Sequence, residues 1–458
     1  MLTYFFVTIA VIAYSPPALA QTVVTDLGTI GGIYGYSEAR AINDLGQVVG
    51  YSTYSTTDPN VRHAFFWNNG GPMVDLGDLG GAQSDAIAIN NAGQVVGYSY
   101  TASSERRAFF WRNGSLMINI GTLGGASSDA VAINDSGLVA GNSITATGVR
   151  LGFVWDSSSG LIRDIGTLPG GRGSYARAMN NAGQVVGYSS STTSRQHAVL
   201  WEPGSGMMTD LGDLGGNISY ATAINDAGQV VGNSYTASGE LHGFFWDPII
   251  GIKDLLTLGG TQSYAVAINN AGQVVGFSYT ASGEQLAFVW DLSNGMRNLG
   301  TLPGGTQSDA VAINNAGQVV GNSNSASTGN RGFMWRESIG IMRDLGTLGG
   351  TYSRVDAINN PGQVVGSSDT SSGQTHACIF VVLSDTSAPV ITVPTQVTAD
   401  ATSPAGAVVN YTVTATDNID PNPQVSCTPP SGSAFPIGTT IITCTATDFS
   451  GNSSTTSF

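Results

Sequence analysis

The chain has 458 residues, with 16 basic and 31 acidic side chains and a formal net charge of −15. Charged residues make up only 10%, glycine (62 residues) is about twice its ordinary ~7% share, and the single lysine is Lys253. This balance excludes nucleic acid and anionic membranes as partners, since both need clustered Lys and Arg. The lack of a Gly-X-Y period excludes collagen, and low charge with regular apolar patches excludes a disordered chain.

Residues 1–20 read as a secretory signal. An apolar run from Tyr4 to Tyr14 is followed by Pro16-Pro17 and by Ala18-Leu19-Ala20, a small-x-small cleavage site, although no Lys or Arg precedes the run. The mature chain would start at Gln21. No later segment is apolar enough to span a bilayer, so an exported protein without membrane insertion is expected.

One unit then recurs eight times. Its asparagine stands at Asn43, Asn90, Asn134, Asn180, Asn225, Asn269, Asn314 and Asn359, at intervals of 44–47 residues. Asp-Leu-Gly or a close variant forms a second landmark, beginning at Asp26, Asp75, Asn119, Asp164, Asp210, Asp254, Asn298 and Asp344. All seven tryptophans end a third landmark, an aromatic strand, and Phe380 takes the eighth place. A period in this range means a solenoid, a propeller or an array. Each unit reads as two β-hairpins: Ala265–Ile268 with Gln273–Ser278 around an Asn/Gly turn, and Ala287–Trp290 with Met296–Leu299. Four short strands in about 45 residues predict one propeller blade, hence an eight-bladed β-propeller over 21–383. A β-solenoid fits less well, because its usual rung is shorter. The repeat is offset: Val23–Leu27 is a lone opening strand, and the last aromatic strand has no partner after it. Pairing Val23–Leu27 with Ala377–Val382 would close the ring and remove two sheet edges.

The segments His63-Ala64-Phe65-Phe66-Trp67, Ala41-Ile42-Asn43 and Gly46-Gln47-Val48-Val49-Gly50 resemble the extracellular repeat of the HAF family, over about 24–382. The resemblance implies a secreted bacterial, propeller-like protein and carries no activity with it.

Composition shifts after Leu383. Residues 385–458 hold five Asp and no Glu, Lys or Arg, with alternation in Val408–Ala415 and Thr440–Ala446 that predicts a β-sandwich over 384–458. Asp385, Ala388-Pro389, Ala415-Thr416-Asp417-Asn418, Phe435–Thr439, Ala446-Thr447-Asp448 and Gly451-Asn452 resemble a HYR (hyalin repeat) domain. That resemblance implies an immunoglobulin-like adhesion module. Thr456 stands where the family often has Cys, and Phe458 falls where a last strand is starting, so the module is expected to be cut short. Cys427 and Cys444, 17 apart, are a disulfide pair if the compartment is oxidising.

Candidate sites divide into architecture and chemistry. The eight asparagines read as Asx-type turns with glycine three residues on. The four histidines, His63, His197, His242 and His376, share one repeat position with Arg107, Leu151, Leu286 and Arg331, which reads as a solvated strand site rather than a metal centre. The tryptophans read as blade-to-blade packing, one per blade as in quinone-dependent dehydrogenases but without a cofactor-binding charge cluster. Leu-Gly-Gly segments such as Leu79-Gly80-Gly81 read as turns, since a phosphate loop needs Gly-Lys-Ser/Thr and a helix. Cys378 replaces a phenylalanine and reads as a buried, inert thiol. Asp417, Asn418, Asp420 and Asp448 form the densest oxygen cluster and are the only candidates for a cation, calcium by ligand type, although their spacing is not that of an EF-hand. Asp85, Asp129 and Asp309 precede Ala-[Ile/Val]-Ala-Ile, and Tyr175, Tyr220 and Tyr264 stand near the same place. Positions that vary between otherwise equal blades are where a propeller builds a site. No Ser/His/Asp set, HExxH or CxxC occurs. No catalytic or cofactor-binding residue is assigned. The expectation is a secreted, non-enzymatic binding or adhesion protein whose ligand is a glycan or a surface protein. The alternative is an extracellular hydrolase or lyase acting on polysaccharide; a purely structural matrix component is a third reading.

Overall fold

A computed structural model describes residues 22–458 apart from short segments at 32–34, 55–57, 59–60, 193–194, 327–328, 384, 419, 421–422 and 449. The signal sequence assigned to 1–20 lies outside the described residues. Two compact units are formed, one by Thr22–Val382 and one containing Leu383–Phe458. No described helix is long and apolar enough to cross a membrane.

The larger unit is a β-propeller whose blades are antiparallel sheets. Six of its sheets have four strands each, and a seventh joins two such sets through one parallel bridge, Arg62 with Gln83. The described residues therefore form eight four-stranded blades. The offset of the repeat is resolved by closure. Thr22–Asp26 pairs antiparallel with Cys378–Val382, and Leu27 N–H continues the ladder to Ala377 O at 3.0 Å. Cys378 lies beneath this seam, fully buried, and burial pushes its thiol well up.

Each blade core is shared with the next blade. Val49, Ala64, Phe66 and Leu76 of the first blade pack with Ala86, Val95, Phe109 and Trp111 of the second. The Phe66 and Trp111 rings lie 5.2 Å apart, and Phe110–Trp155 and Phe245–Trp290 repeat the contact at 5.2 and 5.3 Å. A sheet with both faces covered in this way needs apolar residues on both sides, which explains the continuous buried run in Val48–Thr53. A serine adds a polar clamp at each seam. Ser84 Oγ accepts from Ala64 N–H at 2.8 Å and donates to Gly77 O at 2.6 Å. Ser37 does the same across the closing seam, where Ala377 N–H donates to it at 2.8 Å.

Two sequence expectations need correction. Leu-Gly-Gly is not only a turn: Leu79 bridges Thr101, and Gly80 opens a ten-residue strand, Gly80–Ile89, with the same start at Gly124, Gly215, Gly259 and Gly349. Pro169 and Pro303 follow leucine in two blades, and there the strand starts only at Ser174 or Ser308. Proline has no N–H to extend the ladder. The second correction concerns the histidines, whose side chains are 9%, 19%, 12% and 11% exposed for His63, His197, His242 and His376 rather than solvated.

In the C-terminal unit, Val390–Thr392 pairs with Thr414–Thr416 and Ala407–Val408 with Ala434–Phe435. Gln424–Thr428, Thr443–Thr447 and Ser453–Ser457 form a three-stranded sheet, so the last residues of the chain make a paired strand. The run read as one strand, Val408–Ala415, is divided between two sheets. Its middle leaves the ladder because Tyr411 N–H bonds Ser431 Oγ at 2.9 Å, while Val409, Tyr411 and Val413 pack on Phe435, Ile442 and Cys444. A core this small gains from a covalent tie, and Cys427 is disulfide-bonded to Cys444.

Candidate functional site

The sequence motif Ile-Asn-x-x-Gly-Gln builds one end of the propeller axis. In the first blade Asn43 Oδ1 accepts from Leu45 N–H at 3.1 Å and Gln47 N–H at 2.9 Å, and Gly46 takes the left-handed conformation at φ +75°. That is the expected Asx turn. The same side chain also does something a single repeat cannot reveal. Asn43 Nδ2 donates to Asn90 O at 2.9 Å, Asn90 Nδ2 to Asn134 O, and so on through Asn180, Asn225, Asn269 and Asn314 to Asn359. Asn359 Nδ2 returns to Asn43 O at 2.9 Å. A second cycle runs beside it: Asp44 N–H donates to Asn91 Oδ1, the pattern repeats around the ring, and Asn360 N–H donates to Asp44 Oδ1. Together they border a polar hollow of about 340 Å³. With the turn residues committed to neighbouring blades, this end is a molecular lock.

Variation is concentrated five residues upstream of each ring asparagine. The series reads Glu38, Asp85, Asp129, Tyr175, Tyr220, Tyr264, Asp309 and Arg354. Every one of these residues sits beside a β-bulge opposite the glycine of Val-Val-Gly (Ala-Gly in the third blade). A Cβ on Gly50 would lie 1.9 Å from Glu38 O, and one on Gly276 would lie 1.9 Å from Tyr264 O. Glycine is therefore needed there for two backbones to meet, and the residue the bulge leaves unpaired is the second after the variable position, Arg40 in the first blade and Asp356 in the eighth.

Three adjacent blades, the eighth, first and second, form a charged sector. Asp85 is 2% exposed, with Oδ2 3.7 Å from Arg40 Nη2 and accepting from Tyr98 OH at 3.4 Å, and Arg62 donates to Tyr98 OH at 3.1 Å. Its Oδ1 has no partner among the described residues. Burial therefore wins over the pull of Arg40 and Arg62, and the carboxyl is pushed up to about 6. Asp356 is likewise pushed up to about 6 by burial, against Arg354 at 2.8 Å and the more distant Arg40. Glu38 lies 3.6 Å from Arg40 and accepts from Tyr36 OH. Asp129, beyond this sector, is 3.5 Å from Arg150. Asp309 accepts from Asn322 at 3.4 Å, and burial raises its pKa.

The fourth, fifth and sixth blades form an aromatic sector. Tyr175 stacks on its cross-strand neighbour Tyr188 at 4.7 Å, and Tyr188 meets Tyr220 of the next blade edge-on at 5.1 Å. Tyr264 stacks on Phe277 at 4.6 Å. All five rings are half-buried, so each keeps part of its surface for solvent. Of the positions singled out in sequence, the carboxylates thus lie among basic or amide partners, while the tyrosines make a ladder of two ring groups, Tyr175–Tyr188–Tyr220 and Tyr264–Phe277. The roles of Arg40 and Arg62 escaped sequence reading, because each stands at a position without a repeat landmark.

The histidines serve the fold. His63 Nδ1 lies 3.0 Å from Asp75 and Nε2 3.0 Å from Asp78; burial opposes its charge, but these carboxylates outweigh it and raise its pKa. His197, His242 and His376 pair at 2.8–2.9 Å with Asp210, Asp254 and Asp26, the first residues of the Asp-Leu-Gly landmarks. Among the described residues, no histidine joins a cluster able to hold a metal. The one such group is Asp385, Asp417 and Asp448. Of the four cation candidates, two belong to it. Asp420 instead donates its N–H to Asp417 Oδ1 at 2.9 Å, and Asn418 is exposed. Asp385 was missed, although the HYR resemblance already singled it out.

Residues 384–458 match the HYR domain family, a module of extracellular and cell-surface proteins. No curated protein matches the chain. Among solved structures, dipeptidyl peptidase 4 of Porphyromonas gingivalis is 10% identical, with a TM-score of 0.50 over 78% of this chain and 58% of that one. The β-propeller domain of the Trilobed protease from Pyrococcus furiosus is 12% identical, with a TM-score of 0.43 over 65% and 93%. TolB from Acinetobacter baumannii is 12% identical, with a TM-score of 0.36 over 63% of each chain. The chain thus spans less than two thirds of the peptidase and of TolB. At such identities the likeness concerns fold alone.

Proposed function

We propose that this is a secreted binding protein of the HAF-repeat type, an eight-bladed scaffold joined to a HYR adhesion module. Its ligand is a glycan, taken by the tyrosine ladder of the fourth to sixth blades. One observation carries this reading: a ring with near-identical blades gives up its charged position to tyrosine in three consecutive blades. Half-exposed aromatic faces with hydroxyls suit the apolar face and the hydroxyl edge of a sugar. The HYR match supports an adhesive role.

A second reading has a specific observation behind it. Asp85 and Asp356, each held near 6, stand on either side of Arg40, and carboxyls tuned toward neutrality suit acid–base work on a polysaccharide. The two readings separate in one experiment. Purified residues 21–458 are applied to a panel of polysaccharides and to intact cells, and both retained protein and released soluble fragments are scored. Retention without fragments supports binding. Fragments that persist through purification and vanish in Asp85→Asn overturn it in favour of the hydrolase or lyase.

A further inference from the structure

We propose that the C-terminal module holds one calcium ion between Asp385, Asp417 and Asp448. These residues are far apart in sequence: one opens the module, one follows the strand Thr414–Thr416, and one follows Thr443–Thr447. The fold brings one carboxylate oxygen from each to within 4.8 Å of the others. Asp385 and Asp448 are 7% and 1% exposed. Residues 384–458 contain no Lys, Arg or His, so no side chain of the module neutralises this cluster.

An acidic cluster alone would say little, but Asp385 adds an independent sign. Its Oδ1 accepts from Ser387 N–H at 2.9 Å, while its Oδ2 is buried without a hydrogen-bond partner. A buried carboxylate oxygen left bare is destabilising unless something positive meets it. Asp448 is held in place by Ser450 N–H at 2.8 Å, Asn452 N–H at 2.9 Å and Asn452 Nδ2 at 2.8 Å. The same Asn452 amide also donates to Asp385 O at 2.8 Å, which ties the first and third carboxylates into one frame.

Donor chemistry selects the ion. All three donors are hard oxygens, and no thiol or imidazole is present, which disfavours zinc and copper. Calcium–oxygen bonds of about 2.3–2.6 Å allow ligands across the ion to be about 4.6–5.2 Å apart, so three oxygens within 4.8 Å can share one ion. Carbonyls and water would complete the six to eight ligands that calcium takes.

Calorimetric titration of residues 21–458 with calcium chloride tests this, with magnesium chloride run in parallel. The expected result is one site per chain in the range of about 10⁻⁴–10⁻³ M that is usual for extracellular modules, with magnesium at least tenfold weaker. Asp385→Asn and Asp417→Asn should each weaken calcium by at least tenfold, while Asp400→Asn, an exposed carboxylate of the same module, should leave it unchanged. Far-ultraviolet dichroism identifies any variant that fails to fold, and the other variant then carries the test. No heat of binding with calcium, or binding that survives in folded Asp385→Asn and Asp417→Asn, would overturn the proposal. Tighter binding of magnesium than of calcium would overturn the choice of ion.

Discussion

Asn359 donates its side-chain amide to the main-chain oxygen of Asn43, 316 residues earlier in the chain, at 2.9 Å. The bond matches six of the seven between sequential blades, at 2.9–3.1 Å, and is shorter than the one from Asn134 to Asn180 O at 3.5 Å, so the seam where the chain ends meet is locked as firmly as the others. A buried amide also leaves a carbonyl stranded when it is removed. Asn359→Ala is expected to cost about 1–3 kcal/mol in urea unfolding. Asn359→Asp replaces the donor by a second acceptor facing Asn43 O and Gln363 Oε1, and should cost more at pH 7 than at pH 4. Equal loss at both pH values would count against this role for the amide.

Strand Thr22–Asp26 should protect Cys378. The thiol is fully buried under the closing hairpin and is expected to resist alkylation for as long as the ring stays shut. Removing residues 22–26 bares one edge of Cys378–Val382 and should raise the alkylation rate, followed by intact-mass spectrometry, by at least tenfold. Unchanged protection would mean that the seam does not depend on the N-terminal strand.

Acid should stabilise the propeller over part of the range. Asp85 and Asp356 have folded pKa values near 6, above their unfolded value of 3.8, so the folded state holds more protons between these limits. Stability from these groups is complete below about pH 4 and is lost as pH rises through 6. His63, also raised, has the same sign, and its contribution fades as pH rises above about 6.5. Asp26 is lowered, because its hydrogen bonds to His376 and Gly28 outweigh burial, and it works the other way below 3.8. Unfolding free energy should therefore fall between pH 4 and pH 7. Asp85→Asn should flatten that slope, by about 3 kcal/mol at most over the interval. Chemical denaturation at pH 4, 5, 6 and 7 measures it, and an identical slope in the variant would reject the assignment.

Repetition made the fold readable. The spacing of Asn43 to Asn359 gave the number of units, and the unpaired aromatic strand at Ala377–Val382 gave the closure, because both follow from strand count and from the need to pair an edge. What stayed hidden were relations across seams. The asparagine looks like a local turn residue in any one copy, and only a neighbour at the right angle turns its amide into a lock. The histidines looked solvated because their partners, such as Asp75 and Asp254, belong to another strand of the hairpin. At the site, Tyr175, Tyr220 and Tyr264 were visible as departures from a repeat. Tyr188 and Phe277 were not, since their meaning comes from strand register. In the small module, alternation overstated Val408–Ala415, where a side-chain bond from Ser431 takes the place of a ladder.

Ligand retention by tyrosine-ladder variants tests the central claim most directly. On the polysaccharide that retains the unaltered chain most strongly, the combined variant Tyr175→Ala, Tyr220→Ala and Tyr264→Ala should bind at least tenfold more weakly while its urea unfolding remains cooperative. Glu38→Gln, in the first blade and so across the ring from the fifth, should bind as the unaltered chain does. Full retention by the folded triple variant would contradict the account and move the binding surface away from the fourth to sixth blades.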